Sequence, residues 1–305
     1  MPAAAVSGLT IDYDEHGAAG ATPLLAIMGL GMPAAAWPPR LIDLLVERGA
    51  RVITFDNRDS GGSTKFGGAR TIPVGLAIAR AALRLRVPAP YTLHDMAADA
   101  VGLLDALGIA WAHLVGVSMG GMIGQLVAAR YPQRVASLTS IMSSTGNPSP
   151  RVAFGRPRAI RAILRRPEDP RDLQSVVDDL ERKFSVIGSP MAPQERAAQR
   201  AHYERIARRG LDTAGSRRQL LAVLATGDRR QWLKRITAPT LVLHGRLDPL
   251  LPVAAGIETA RCIPGAKLLV IDGMGHDLPP PLLPRIADEI ASIARLPGGR
   301  RPGPA

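Results

Sequence analysis

The sequence predicts an α/β fold: a mostly parallel central sheet with helices on both faces and an inserted helical cap. Three observations carry that prediction. Short apolar runs alternate with helical ones through the first half of the chain, as in a parallel sheet wrapped by its own crossover helices. The alternation stops after residue 142 and resumes near residue 240, with a helical, arginine-rich stretch between. Two glycine-rich loops, Gly116-Val117-Ser118-Met119-Gly120-Gly121 and Gly273-Met274-Gly275-His276, each follow an apolar run of strand length.

Residues 9–13 alternate polar and apolar and read as the first strand. Residues 24–28 are continuously apolar, as a strand buried on both faces should be. A helix over 37–48 follows, with Pro38 and Pro39 in its first turn, where a missing N–H is tolerated. Residues 51–55 form the next strand and end in a turn-rich 56–64. A basic, apolar stretch, 71–87, predicts a helical excursion closed by Pro88-Ala89-Pro90. Thr92 is placed as the N-cap of an amphipathic helix that stops at Gly108. Then come a strand at 113–117, a helix at 119–131 stopped before Pro132, and a strand at 135–142. Residues 143–150, rich in Ser, Pro, Gly and Asn, open the insertion. The core resumes with strands at 240–243 and 267–271 and helices at 253–262 and 282–295. The expected division is a core of residues 1–145 and 236–296, a cap or lid of 146–235, and a disordered tail of 297–305.

Composition narrows the function classes. With 305 residues, 46% of them hydrophobic, the chain can bury a large core. Its one cysteine, Cys262, excludes an intramolecular disulfide and a cysteine metal cluster. No basic and apolar leader and no run of membrane-spanning length is present, so a cytoplasmic location without a membrane partner is expected. The net charge is +12, and between residues 151 and 235 twenty Arg and Lys face ten acids. That excess could steer anionic substrates, or it could be a solvated arginine surface. Aromatics make up 4%, too few to interleave a stacking platform with the charge, so nucleic acid is not an expected partner. The oligomeric state is not set by these features.

The chemistry gathers in the glycine-rich loops. Gly116-Val117-Ser118-Met119-Gly120 matches G-x-S-x-G between a strand and a helix, the setting that projects a serine hydroxyl from a sharp turn. Gly116 and Gly120 leave room for that elbow, and the following helix aims its N–H groups at developing negative charge. A serine needs a base, and the base needs an orienting carboxylate. Asp248, in His244-Gly245-Arg246-Leu247-Asp248-Pro249, and His276 both lie just beyond strand ends, where parallel sheets place their sites. His244 is read as support for the Asp248 loop. Asp272 and Asp277 are the carboxylates next in line. The backbone N–H groups of Met119 and of Leu30, in Met28-Gly29-Leu30-Gly31, are the candidate oxyanion donors. Leu30, Met32, Met119 and Met142 are candidate pocket walls, as is ordinary core packing for each. Gly29-x-Gly31-x-x-Ala34 with Asp56 outlines a dinucleotide fingerprint, but Pro33, Pro38 and Pro39 delay the helix that a pyrophosphate would need.

These residues resemble the α/β-hydrolase superfamily over nearly the whole chain outside the insertion. Asp56-Asn57-Arg58-Asp59-Ser60-Gly61-Gly62-Ser63 is similar to its D-x-R-G-x-G-x-S turn, departing at Asp59, where glycine is usual. With Met28-Gly29 in place of the common His-Gly and Gly273-Met274-Gly275-His276, the chain looks most like a branch of serine carboxylesterases and anthracycline methyl esterases. The resemblance implies the α/β-hydrolase fold, a serine esterase with the catalytic triad Ser118, Asp248 and His276, a small ester as substrate, and no metal or organic cofactor. Lactonases and cofactor-free haloperoxidases or perhydrolases share the same triad, and some members keep the fold as non-catalytic small-molecule receptors. Dehalogenases and epoxide hydrolases carry Asp at the elbow, against which Ser118 argues. Residues 151–235 correspond to the superfamily's variable cap.

Overall fold

The computed structural model describes residues 1–153 and 155–294. Eight strands form one sheet: β1 (Ala3–Val6), β2 (Leu9–His16), β3 (Thr22–Ile27), β4 (Ala50–Phe55), β5 (Ala112–Val117), β6 (Val135–Ile141), β7 (Thr240–Gly245) and β8 (Lys267–Ile271). Their order is β1-β2-β4-β3-β5-β6-β7-β8. The β1–β2 and β2–β4 pairs are antiparallel, and every pair from β4 to β8 is parallel. The parallel strands β5, β6 and β7 are buried along their whole length, as strands covered on both faces are. β1 is the strand that sequence reasoning misses. Its Ala-rich stretch has little β-propensity of its own, and pairing with β2 at the sheet edge supplies what propensity does not.

Helices α1 (Pro39–Glu47), α2 (Val74–Ala82), α3 (Leu93–Ala106) and α4 (Met119–Arg130) lie between the strands from β3 to β6. The helix expected over 71–87 is confined to α2, because Pro73 begins it and a left-handed Arg84 ends the turn beyond it. Thr92 caps α3 as expected, with the Asp95 carboxylate accepting from its N–H and hydroxyl. Between β6 and β7 the regular elements are helical: α5 (Pro150–Ala153), α6 (Pro157–Leu164), α7 (Leu173–Ile187), α8 (Arg196–Arg209), α9 (Thr213–Thr226) and α10 (Arg230–Leu233). Finally, α11 (Val253–Cys262) and α12 (Leu283–Ala294) flank β8 in the chain. The tail expected at 297–305 lies outside the described residues.

One apolar layer packs β-strand side chains against α3 and α4, and another packs the opposite face against α1 and α12. A smaller core of Val176, Val177, Leu180, Tyr203 and Ile206 joins α7 to α8 within the insertion. The turn after β4 is the hub between core and insertion. Asn57 Nδ2 donates to Met28 O, and Arg58 makes a buried two-pronged pair with Asp99 of α3. Asp56 accepts from Arg209 at the end of α8, and Asp59 accepts from Arg218 of α9. These charge-assisted pairs tie α8 and α9 of the insertion to the core turn.

Candidate active site

The chain runs from β3 to β4 on one side and then crosses to β5 on the other, so β3 and β5 are neighbours at a point where strand order reverses. Crevices open beyond the carboxyl ends of strands at such a point. Ile27 of β3 stands in register with Gly116 of β5. Ser118 follows β5 directly, with φ 54° and ψ −117°, a conformation that side-chain-bearing residues rarely hold. Its N–H donates to Ile141 O and its carbonyl accepts from the Ser143 hydroxyl, so the turn is held from both sides. The two elbow glycines are required by close packing. A Cβ on Gly116 would come within 2.3 Å of Gly120 O, and one on Gly120 within 2.0 Å of Ile27 O.

The three residues read from the loops meet. His276 Nε2 is 3.0 Å from Ser118 Oγ, and His276 Nδ1 is 2.7 Å from Asp248 Oδ2. Asp248 Oδ1 accepts from the N–H groups of Leu250 and Leu251. Burial alone would raise the Asp248 carboxyl, but the His276 charge and hydrogen bonds from both histidines outweigh it and hold the group well below the usual carboxylate range. An ionised Asp248 accepts a hydrogen bond from Nδ1–H, which leaves Nε2 free to accept from the serine hydroxyl. His244 is fully buried and stands behind this pair, 3.4 Å from Asp248 Oδ2 and 2.9 Å from Leu251 O. Asp272 is exposed and pairs with Arg246.

The loop after β3 lies against the elbow: a Cβ built on Gly29 would be 3.4 Å from Ser118 Cβ. Gly31 N–H donates to Gln219 Oε1 of α9, and Ala34 N–H to Asp56 Oδ1, so the loop has supports on both flanks. Among the described residues the Leu30 and Met119 N–H groups have no hydrogen-bond partner, the state in which a donor for an oxyanion must be kept. The dinucleotide outline fails physically. α1 starts at Pro39, well past the glycines, and Asp56 is engaged by Ala34, Gly62 and Arg209.

Ser118 and His276 open into a cavity of about 360 Å³, in which Leu30, Met32 and Met142 are walls. Met119 is buried at 1% exposure and packs in the core layer instead. The opposite wall comes from the insertion, with Ile163, Phe184, Tyr203 and Ile206 among its residues. Phe184 and Tyr203 stack at 5.5 Å. Sequence reasoning missed these residues, because amphipathic helices show which side chains are apolar but not which cavity they face.

A second group was missed as well. Ser189, just after α7, donates its N–H and hydroxyl to Asp277 Oδ1, and its oxygen accepts the Gly275 N–H. His276 N–H donates to Ile187 O. The loop bearing His276 is therefore tied at three consecutive residues to the end of an insertion helix. Burial pushes the Asp277 carboxyl up, and the Ser189 donors oppose that. The His-Asp dipeptide was visible in the sequence. Its partner 88 positions away was not.

The family model for the alpha/beta hydrolase fold matches residues 22–279. The chain belongs to that family. Among similar proteins, the rhodomycin D methylesterase of Streptomyces peucetius is 27% identical over 84% of this chain and 85% of its own length. A 2-hydroxy-6-oxononadienedioate/2-hydroxy-6-oxononatrienedioate hydrolase of Burkholderia vietnamiensis is 28% identical over 88% of this chain and 85% of its own. The crystal structure of an enol-lactonase from Burkholderia xenovorans superimposes with a TM-score of 0.69 at 24% identity, covering 95% of this chain and 97% of that one, a likeness of fold. These relatives of the α/β hydrolase are named for different substrates, and the choice among substrates rests on the site.

Proposed function

We propose that this α/β hydrolase cleaves a carboxylic ester through an acyl-enzyme on Ser118. The observation that carries the reading is the unbroken hydrogen-bonded series Ser118–His276–Asp248 at the floor of an apolar cavity. Ser118 Oγ attacks the ester carbonyl as its proton passes to His276 Nε2. The carbonyl oxygen becomes an oxyanion between the Leu30 and Met119 N–H groups. Collapse breaks the C–O bond, and the imidazolium returns its proton to the departing alcohol. A water then gives a proton to His276, attacks the acyl carbon and releases the acid, restoring the serine hydroxyl. Asp248 stabilises the imidazolium in each half without taking its proton.

The apolar walls support a substrate with an apolar acyl or alcohol part. Residues 146–235 act in this reading as a cap whose α7 and α8 shape the pocket. A panel of esters and lactones tests the proposal with the parent enzyme and Ser118→Ala. Loss of the nucleophile is expected to lower turnover by on the order of 10³-fold or more. An Ser118→Ala enzyme retaining half the parent's ester turnover would reject the serine mechanism. Turnover confined to substrates without an ester linkage would reject the substrate class.

A further inference from the structure

We propose that the outward face of α2, with the turn that follows it, docks on an anionic phospholipid surface. α2 is apolar on two sides. Through Ala77 and Ala81 it packs on Val87 and on Leu221 and Leu224 of α9. Its other side carries Leu76, Ala79 and Leu83, spaced at i, i+3 and i+7 as one stripe, and this stripe faces solvent. Leu76 is 49% exposed, Leu83 71%, and Leu85 in the following turn 50%. Single exposed leucines need no explanation, but three within ten residues make a patch, which in a soluble protein marks an interaction site.

The charge around the patch selects its occupant. From residue 60 to residue 94 the chain contains no Asp or Glu, while Arg70, Arg80, Arg84 and Arg86 flank the leucines. Among the described residues none of these four arginines is in an ion pair. Arg80 Nε donates to Arg86 O and Leu85 N–H to Arg80 O, which folds the turn back so that it displays leucines and arginines together. Leucine side chains entering the acyl boundary with arginines among the phosphates match this pattern. A nucleic acid would use the arginines and leave the leucines in water. A second copy packed about a two-fold axis would set arginine against arginine. No helix among the described residues is long and apolar enough to cross a membrane, and the expectation of no membrane partner was drawn from the lack of such a run. Docking on a surface needs none.

The test is co-sedimentation of the full-length protein with vesicles of phosphatidylcholine alone and of phosphatidylcholine enriched in phosphatidylglycerol. The protein should pellet with the anionic vesicles and stay in solution with the neutral ones. The triple variants Leu76→Ser/Leu83→Ser/Leu85→Ser and Arg70→Gln/Arg84→Gln/Arg86→Gln should each weaken anionic-vesicle binding by roughly tenfold or more, with hydrolysis of a soluble ester and the melting temperature unchanged. Failure of the parent protein to pellet would overturn the proposal. So would vesicle binding that the leucine variant retains, which would point to the arginines of the insertion. Binding to RNA but not to vesicles, or a dimer that the leucine variant dissociates, would assign the patch to another partner and overturn it equally.

Discussion

Asp59 sits at φ 67°, in the left-handed region that costs a side-chain-bearing residue about 1 kcal/mol, at the turn position where its family usually has glycine. What offsets that cost is visible in its partners. One carboxylate oxygen accepts from Tyr91 Oη and Arg218 Nε, and the other from Arg218 Nη2 and Phe66 N–H. Burial alone would raise the carboxyl, but Arg218, Tyr91 and Phe66 outweigh it and lower it. Asp59→Gly would relieve the backbone and leave the buried Arg218 guanidinium with only its 3.3 Å contact to Asp212, and the second effect is larger. The variant should lose about 3–5 kcal/mol in denaturant unfolding, the cost of breaking a buried pair from one side. A variant as stable as the parent would show that the Arg218 pair contributes nothing net. Asp59 was legible in the sequence only as a departure from a motif, because the arginine that explains it lies 159 positions away. Ser118, Asp248 and His276 were legible because each stands in a local glycine- or proline-marked turn just past an apolar strand, a signal that needs no knowledge of distant partners.

Among the elements, the contact between the end of α7 and the loop after β8 joins the insertion to the candidate base. Three successive residues, Gly275, His276 and Asp277, bond to Ser189 or Ile187. Ser189→Ala removes the hydroxyl donor to Asp277 and the acceptor for Gly275 N–H, while the Ser189 N–H bond can persist. The ring of His276 should then sample positions away from Ser118, and kcat should fall by roughly tenfold with KM little changed, as expected for lost orientation rather than lost binding. Ser189→Thr, which keeps a hydroxyl, should recover much of kcat. An increase in KM alone would instead make Ser189 part of the substrate wall. The positions of β2 to β8 were signalled by their apolar or alternating runs, while their order in the sheet was not. The packing of α7 and α8 over the site was not, because helical periodicity fixes a face without fixing its partner.

Over the whole molecule, eight of the twenty Arg and Lys of residues 151–235 are in ion pairs among the described residues. Arg200 binds Asp178 and Glu181, Lys183 binds Asp179, and Arg209 and Arg218 reach the core turn. Two histidines outside the candidate relay, the buried His113 and the part-buried His202, make stability depend on pH. Burial lowers both His113 and His202 to about 4, with Arg205 adding to the effect at His202. Unfolded, both would titrate near the ordinary 6.5. Between those values the unfolded chain binds more protons than the folded one, so stability is complete above about pH 6.5 and is lost as pH falls toward 4. Melting temperature should drop across that window, and His113→Gln/His202→Gln should flatten the drop. An unchanged slope in the double variant would assign the acid sensitivity elsewhere. The central claim is that Ser118 is the nucleophile, and covalent labelling addresses it most directly. After reaction with a fluorophosphonate, peptide mass mapping should find one adduct, on the peptide at Ser118, and none in Ser118→Ala. An adduct on another residue, with ester turnover blocked by it, would contradict the account.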